Sequence, residues 1–180
     1  IRSTLTIARS EYKHVAEVET ELDASLPLVI CHGGEINQVI LNLLVNAAHA
    51  IEARGAGPPG RIVISTRQAG DAAEIRITDN GSGMSEDVRA RVFDPFFTTK
   101  DVGRGTGQGL AIAHGVVKKH SGSIAVDSES GRGTCFTIRL PLAAPPVRRE
   151  SAPGASGRSA CRPRRPAPAR RDAAARAGSG

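Results

Sequence analysis

The sequence predicts a two-layer α/β sandwich in which a mixed, mostly antiparallel sheet is covered by helices on one face. Two segments, 34–54 and 109–122, carry apolar residues at helical spacing. Other segments alternate apolar and polar residues, and most of them fall in neighbouring pairs separated by turn residues. Paired neighbouring strands with two long amphipathic helices favour this architecture.

Alternation predicts five strands, at 12–22, 61–68, 73–79, 123–129 and 134–141. In the first of them, Tyr12, His14 and Ala16 fall on one side. The second and third strands are separated by Ala-Gly-Asp, and the last two by Ser-Gly-Arg-Gly, so both pairs are predicted to be hairpins.

Three helices are predicted between these strands. The first, 34–54, keeps its apolar period for almost five turns and ends at Gly55. A short helix is predicted at 85–93, with its first residue, Ser85, as a suitable N-cap. The last, 109–122, ends at a Ser-Gly pair.

The basic charge of the chain comes from its C-terminal segment. The net charge is +6, but residues 143–180 hold nine arginines and two acids, which leaves 15 basic and 16 acidic residues before them. This segment has no aromatic residue and one large aliphatic side chain, Val147, so we expect a disordered tail. Because no aromatic residue interleaves the arginines, we expect a solvated tail rather than nucleic-acid binding.

Cysteine usage and hydropathy favour a cytoplasmic setting. Cys31, Cys135 and Cys161 are far apart and odd in number, which favours a reducing compartment over a disulfide framework. The sequence has no apolar run of membrane-spanning length and no segment with signal-peptide character.

A glycine-rich stretch, GRGTGQGLAIAHG (103–115), leads directly into the last helix. Helix N-termini offer unpaired N–H groups and a positive dipole end, so a phosphate is the natural ligand. The spacing fits neither a Walker loop nor a dinucleotide fingerprint. A plain connecting loop is the alternative.

The long first helix carries Asn42, Asn46 and His49 at i, i+4 and i+7, which places them on one stripe. Asparagine is a poor helix former, so two on one face indicate a site. An amide oxygen suits Mg²⁺, and an imidazole can meet phosphate oxygens. The alternative is a solvated polar face.

Three further clusters carry candidate chemistry. In DNGSGM (79–84), Asp79 follows a strand and is placed to hold an adenine amino group, although a hairpin turn is the alternative. FDPFFTTK (93–100) holds three of the four phenylalanines, as in a hydrophobic latch, and ends on Lys100, which can reach a terminal phosphate. GRGT (131–134) precedes the last strand.

These motifs together resemble sensor histidine kinases. QVILNLLVNAAHA resembles their N box, DNGSGM the G1 box, FDPFF the F box, RGTGQGL the G2 box and GRGT the third glycine motif. All five occur in the family's order between about residues 10 and 141. The resemblance implies the Bergerat ATP-binding fold, shared with gyrase and with the heat-shock chaperone and mismatch-repair ATPases.

The resemblance implies ATP and Mg²⁺ as ligands, with Asn46 on the metal and Asp79 on adenine. It implies an ATP lid at 94–108, with Gly105, Gly107 and Gly109 as its phosphate hinge. The glycine, proline and threonine content of this segment and its few aliphatic anchors predict that it is mobile without nucleotide. The implied nucleotide-binding residues are Asn46, Asp79, Gly81, Gly83, Met84, Phe97, Thr106, Gly107, Gln108, Gly109, Leu110 and Thr134. The catalytic candidates are Asn42, His49 and Lys100.

One departure separates the chain from the ATPase relatives. Those enzymes carry a glutamate as general base four residues before the metal-binding asparagine, and here that residue is Asn42, which cannot accept a proton. The resemblance then implies a nucleophilic histidine on a partner domain. None of the five histidines has the expected acidic neighbour and following proline: His14, His32, His49, His114 and His120.

We therefore expect the end of a linker from a missing dimerisation and phosphoacceptor domain at 1–9, a catalytic ATP-binding domain at 10–142 and the tail at 143–180. The family further implies a response regulator receiver domain as partner and a homodimeric full-length protein. Three rival interpretations remain: a gyrase- or chaperone-type ATPase, an anti-sigma-factor serine kinase and a nucleic-acid-binding module.

Overall fold

The computed structural model describes residues 1–99 and 106–143. The predictions for Lys100, for Gly105 and for the tail from residue 144 onward lie outside the described residues. The elements are α1 (Arg2–Tyr12), β1 (Glu17–Leu22), α2 (Gly33–Arg54), β2 (Arg61–Ala69), β3 (Ala72–Asp79), α3 (Glu86–Arg91), α4 (Gly109–Lys119), β4 (Ser123–Glu129) and β5 (Gly133–Pro141).

The strands form one five-stranded sheet in the order β1-β2-β3-β5-β4. β1 runs parallel to β2, and the other three pairings are antiparallel. Both predicted hairpins are present, as β2–β3 and β4–β5. The prediction of a mixed, mostly antiparallel sheet is confirmed.

The core lies between the sheet and the helices. Ile64, Ile77 and Ile138 face it from the three central strands and are at most 1% exposed. Leu43 and Leu44 of α2 are fully buried. Period-2 alternation in the strands and the helical period in α2 bring these apolar residues to one interface, which stabilises the two layers against each other.

The other face of the sheet carries charge, as its strand alternation predicts. Glu74 of β3 is only 1% exposed because the side chains on both neighbouring strands close over it. Arg67 donates to its carboxylate from β2 at 2.7 Å, and Arg139 from β5 at 2.9 Å. The carboxylate therefore ties three adjacent strands together.

The N-terminal segment differs from the prediction. The strand predicted at 12–22 begins only at Glu17; Tyr12 ends a helix, α1, that alternation did not reveal, and residues 13–16 connect the two elements. Thr4 and Ala8 are buried at i, i+4 spacing in α1, which packs on α2, and Tyr12 donates its hydroxyl hydrogen to the carbonyl of Leu5 at 3.0 Å. This packing overrides the weak local alternation.

The remaining helices agree with the sequence. The hydroxyl of Ser85 accepts from the N–H of Val88 at 3.5 Å, which is the predicted cap of α3. In the part of the chain that the structure describes, no helix is long and apolar enough to cross a bilayer.

Candidate functional site

A cavity of about 550 Å³ opens between α2, the C-terminal end of β3, the N-terminal end of β5, and the segment that leads into α4. Most of the residues predicted from the motifs line it: Asn42, Asn46, His49, Asp79, Gly83, Met84, Phe97, Thr106, Gly107, Gly109, Leu110 and Thr134. Residues separated by almost a hundred positions in the sequence are thus brought to one surface.

Two predicted residues lie beside the cavity rather than in its wall. Gly81 packs against α2, where an added Cβ would lie 2.6 Å from the carbonyl carbon of Ala50. Its N–H donates to Asp79 Oδ1 at 2.8 Å. Gln108 is the N-cap residue of α4, and its carbonyl accepts from Ile112 at 2.8 Å. Both residues support the wall through backbone contacts.

Asp79, the last residue of β3, forms the polar end of the cavity. It is only 5% exposed, and burial raises the pKa of its carboxyl to about 6, against the opposing effect of N–H donation from Gly81 and Thr134. Its carboxylate is a buried acceptor facing the cavity. Such a group suits the amino group of a ligand.

Close backbone approach beside Asp79 explains the glycines of DNGSGM (79–84) and GRGT (131–134). Gly83 has φ +65°, and a Cβ there would lie 1.9 Å from the carbonyl oxygen of Glu129. The N–H of Gly131 donates to the carbonyl of Ser82 at 2.7 Å. The 80–84 loop and the β4–β5 turn therefore pack backbone against backbone, which only glycine permits.

Opposite Asp79, α2 faces the first turn of α4. Asn42 donates its amide hydrogen to the carbonyl of Gly109 at 3.0 Å and accepts from Gln38 at 2.9 Å. Asn42 therefore holds the start of α4 against α2. Asn46 lies one turn further along α2 in the same wall, and Gly109 and Leu110 at the N-terminus of α4 line the cavity as well, an end of a helix whose N–H groups suit an anion.

The segments that flank the undescribed residues 100–105 meet at Phe96 and Gly107. Phe96 has φ +65°, and its N–H donates to the carbonyl of Gly107 at 3.0 Å. Gly107 has φ +63°, and a Cβ there would lie 2.4 Å from the carbonyl carbon of Phe96. The next ring, Phe97, lies under the guanidinium of Arg91 at 4.5 Å.

Sequence reasoning missed part of the wall. Ile7, Ala8 and Glu11 of α1 line the cavity, and they were missed because α1 itself was not predicted. Ser128 of β4 does not line the cavity but contacts Met84 and Thr134, which do; it was also missed, although it alternates along β4 in phase with the half-buried Ile124 and Val126.

The side chains in and around the cavity decide what kind of metal ion it can bind. Among residues 1–99 and 106–143, no group of three or more histidine, cysteine, aspartate or glutamate side chains is placed to hold a metal. Asn46 supplies one hard amide oxygen. This set fits Mg²⁺ carried mainly by phosphate oxygens and water, the usual arrangement for that ion.

Comparisons with known proteins agree with this geometry. Residues 32–144 match the family described as histidine kinase-, DNA gyrase B- and HSP90-like ATPase. The sensor histidine kinase ZraS of Escherichia coli K12 is 39% identical over 118 residues, which cover 66% of this chain and 24% of ZraS.

Solved structures give the same result. The mycobacterial sensor histidine kinase MprB superposes with a TM-score of 0.64 at 31% identity, covering 78% of this chain and 91% of that one. The catalytic domain of the histidine kinase ThkA, free of nucleotide, gives 0.65 at 25% identity, covering 78% and 88%. The resemblance seen in the motifs and the expected fold are confirmed. The chain spans about a quarter or less of the curated relatives' length.

Proposed function

The chain belongs to the family of histidine kinase-, DNA gyrase B- and HSP90-like ATPases, as an ATP-binding catalytic domain of the sensor histidine kinase type, and we propose that it transfers the γ-phosphoryl group of Mg-ATP to a histidine on a separate dimerisation domain. The observation that carries this proposal is the cavity that joins the buried acceptor Asp79 to Asn46 and the start of α4.

Adenine binding is assigned to the Asp79 end. A carboxylate that is 5% exposed accepts hydrogen bonds in a low-dielectric setting, where each is stronger than in water. Gly83 and Met84 form the adjoining wall, and the missing side chain of Gly83 allows the loop to pack closely there. ATP and ADP are both expected to bind, since they share this base.

Phosphate and metal binding are assigned to the opposite end. Thr106, Gly107, Gly109 and Leu110 line the cavity where α4 begins, and the N–H groups there are suited to the β and γ phosphates. Asn46 is the proposed protein ligand of Mg²⁺, which supplies charge neutralisation when bound. His49 and Lys100 are proposed to act on phosphate oxygens.

Asn42 separates this chemistry from ATP hydrolysis. Its amide cannot act as a general base. It donates to the carbonyl of Gly109 and accepts from Gln38, and so holds the start of α4 against α2. Without a base to activate water, the nucleophile is proposed to be a neutral imidazole of the partner domain. In the step, the γ-phosphorus gains a bond to imidazole nitrogen, ADP leaves, and the imidazole loses its N–H proton.

The wider assembly is also proposed. Residues 1–9 are assigned to the end of a linker, 10–142 to the catalytic domain and 143–180 to a tail without a nucleic-acid role. A receiver domain of a response regulator is the expected next acceptor of the phosphoryl group, within a homodimeric, cytoplasmically facing parent protein.

The test is label transfer from γ-labelled ATP, with and without a separately produced dimerisation domain that contains the acceptor histidine. The chain alone should hydrolyse ATP slowly and take up no stable label, because it lacks the activated nucleophile. The added domain should take up label that is lost in acid and retained in base, as expected for a phosphoramidate. Asn46→Asp and an acceptor domain without its histidine are the controls.

Two results would contradict the proposal. Stable label on the chain alone would identify an internal acceptor. Rapid ATP turnover by the chain alone would assign it to the ATPase branch of the family, with a general base at a position other than Asn42.

A further inference from the structure

Ser128, near the end of β4, makes three polar contacts through one hydroxyl oxygen. It receives the N–H of Met84 at 2.9 Å. It lies 3.0 Å from the carbonyl oxygen of Gly133 and 2.9 Å from the hydroxyl oxygen of Thr134. Ser128 belongs to none of the motifs, yet its partners Met84 and Thr134 both line the cavity.

The number of hydrogens available decides which hydroxyl donates in each of these contacts. A serine hydroxyl has one hydrogen and two acceptor lone pairs, and one lone pair takes the N–H of Met84. If Ser128 donates to the carbonyl of Gly133, its second lone pair accepts the hydrogen of Thr134, and every contact contains one hydrogen. If Ser128 donates to Thr134 instead, two oxygens face each other at 3.0 Å without a hydrogen between them. The first arrangement is the favoured one.

In this arrangement Thr134 donates its hydroxyl hydrogen to Ser128, so only the lone pairs of the Thr134 oxygen are available to the cavity. Thr134 and Asp79 are direct partners across β3 and β5, and both line the cavity. The ionised carboxylate of Asp79 is also an acceptor only. This end of the cavity therefore presents acceptors and no side-chain donor from these two residues.

We propose that Ser128 is a positioning residue that fixes the hydroxyl of Thr134 as an acceptor, and so selects a purine with a 6-amino group over one with a 6-keto group. The inference rests on the proposed function, because it assumes that the purine lies at the Asp79 end. An amino group donates to these acceptors, directly or through a water. A keto oxygen there finds no donor and remains unpaired, which is costly in a buried site.

Ser128 is not the main anchor of this region. The 80–84 loop is held to the β4–β5 turn by the bond from Gly131 to Ser82 at 2.7 Å, and by the close backbone contact at Gly83. Removal of one hydroxyl leaves both contacts in place. We therefore expect the effect of Ser128→Ala to fall on selectivity more than on folding.

The experiment measures the dissociation constants of ATP and GTP, with the full 180-residue chain, for wild type, Ser128→Ala and Ser123→Ala. Ser123 lies on the same strand with an exposed side chain, so it is the matched control. In Ser128→Ala the hydroxyl of Thr134 is free to rotate and donate. The preference for ATP over GTP should fall about fivefold or more, the equivalent of one hydrogen bond, and Ser123→Ala should leave it unchanged.

A second comparison tests whether Ser128 acts through Thr134. In a Thr134→Val background, Ser128→Ala should have no further effect on the ratio of the two constants. Should Ser128→Ala not fold, Ser128→Cys keeps a side chain of similar size with a weaker acceptor for the Thr134 hydroxyl, and it should lower the ATP preference in the same direction. An equal loss for both nucleotides, or an unchanged ratio, would overturn the inference but leave the proposed function standing. A wild-type chain that binds no ATP would overturn both.

Discussion

Asp79 shows how one residue carries both a cost and a function. Its ionisable side chain is only 5% exposed. Burial raises its pKa to about 6, and no cationic side chain among the described residues opposes this shift. The folded protein thus binds a proton at Asp79 more readily than the unfolded chain does. Its negative charge at neutral pH costs stability and provides the acceptor that the proposed adenine site needs.

Asp79→Asn should therefore weaken nucleotide binding and stabilise the empty protein. Loss of a charged acceptor should cost on the order of 1.5–3 kcal/mol of binding free energy. The melting temperature at pH 7.5 should rise, because the buried charge is gone. Calorimetric titration with ADP and a thermal melt measure the two effects. Unchanged ADP affinity would remove adenine recognition from Asp79.

The same pKa predicts a pH dependence. Folding raises the pKa of Asp79 from 3.8 to about 6. The contribution of this group to folding stability is therefore fully present below pH 3.8 and is lost as the pH rises through 6. The stabilising effect of Asp79→Asn should hence vanish near pH 4. Between pH 7.5 and 5, the affinity of wild type for ATP should fall about tenfold as the carboxylate is protonated. Asp79→Asn should lack this component, which separates it from titration of the phosphates.

At the scale of elements, close backbone contacts frame the site, and a buried carboxylate ties three strands of the sheet together. Phe96 and Gly107 both have positive φ and share a backbone hydrogen bond beside α4. On the open face of the sheet, Glu74 of β3 bonds to Arg67 and Arg139 of the flanking strands. The contact between Phe96 and Gly107 fixes the segment before α4 in the cavity wall, whereas Glu74 ties β2, β3 and β5 together on the face of the sheet away from the core.

Gly107→Ala should lower both the melting temperature and the affinity for ATP. The new Cβ would lie 2.4 Å from the carbonyl carbon of Phe96, and the positive φ adds strain on the order of 1 kcal/mol. Gly115→Ala in α4 is the matched control, since nothing lies within 4 Å of its Cβ position. That change should stabilise the helix by about 0.5–1 kcal/mol. Similar behaviour of the two variants would show that the contact with Phe96 imposes no constraint.

Glu74→Ala should destabilise the fold by about 1–2 kcal/mol, because it removes charged hydrogen bonds from Arg67 and Arg139. Burial raises the pKa of Glu74, but the two guanidinium groups outweigh it and hold the pKa below its usual range. This contribution is thus present above pH 4.5 and lost as the pH falls through the folded pKa. Glu19→Ala, which breaks the exposed pair with Arg61, should have little effect on denaturant unfolding. Equal effects would remove the special role of Glu74.

At the scale of the whole molecule, the charge of the chain and its chemistry lie in different parts. The cavity is lined by residues spread along the chain from Ile7 of α1 to Phe136 of β5, whereas the net positive charge comes from the segment after β5. The described chain ends with backbone hydrogen bonds from Leu142 to Asp71 at 2.8 Å and from Ala143 to Leu28 at 3.4 Å. A cut after Ala143 preserves both.

A chain that ends at Ala143 should keep its melting temperature and its affinity for ATP. If the arginine-rich segment has no nucleic-acid role, neither version should bind a DNA duplex with appreciable affinity at physiological salt. Fluorescence anisotropy at several salt concentrations measures this. Binding that falls steeply with salt and disappears in the shorter chain would instead assign a nucleic-acid function to the tail.

The sequence by itself determined the family, the two hairpins, the helices α2 to α4 and most of the cavity wall. These follow from local features: apolar period, the cap at Ser85, and glycines where the backbone needs positive φ or close approach. The tertiary structure alone decided the rest. The helix α1 depends on burial against α2, and the role of Ser128 depends on partners from the 80–84 loop and β5. The shifted pKa of Asp79 likewise arises from burial, a property that many distant residues create together and that no short stretch of sequence contains.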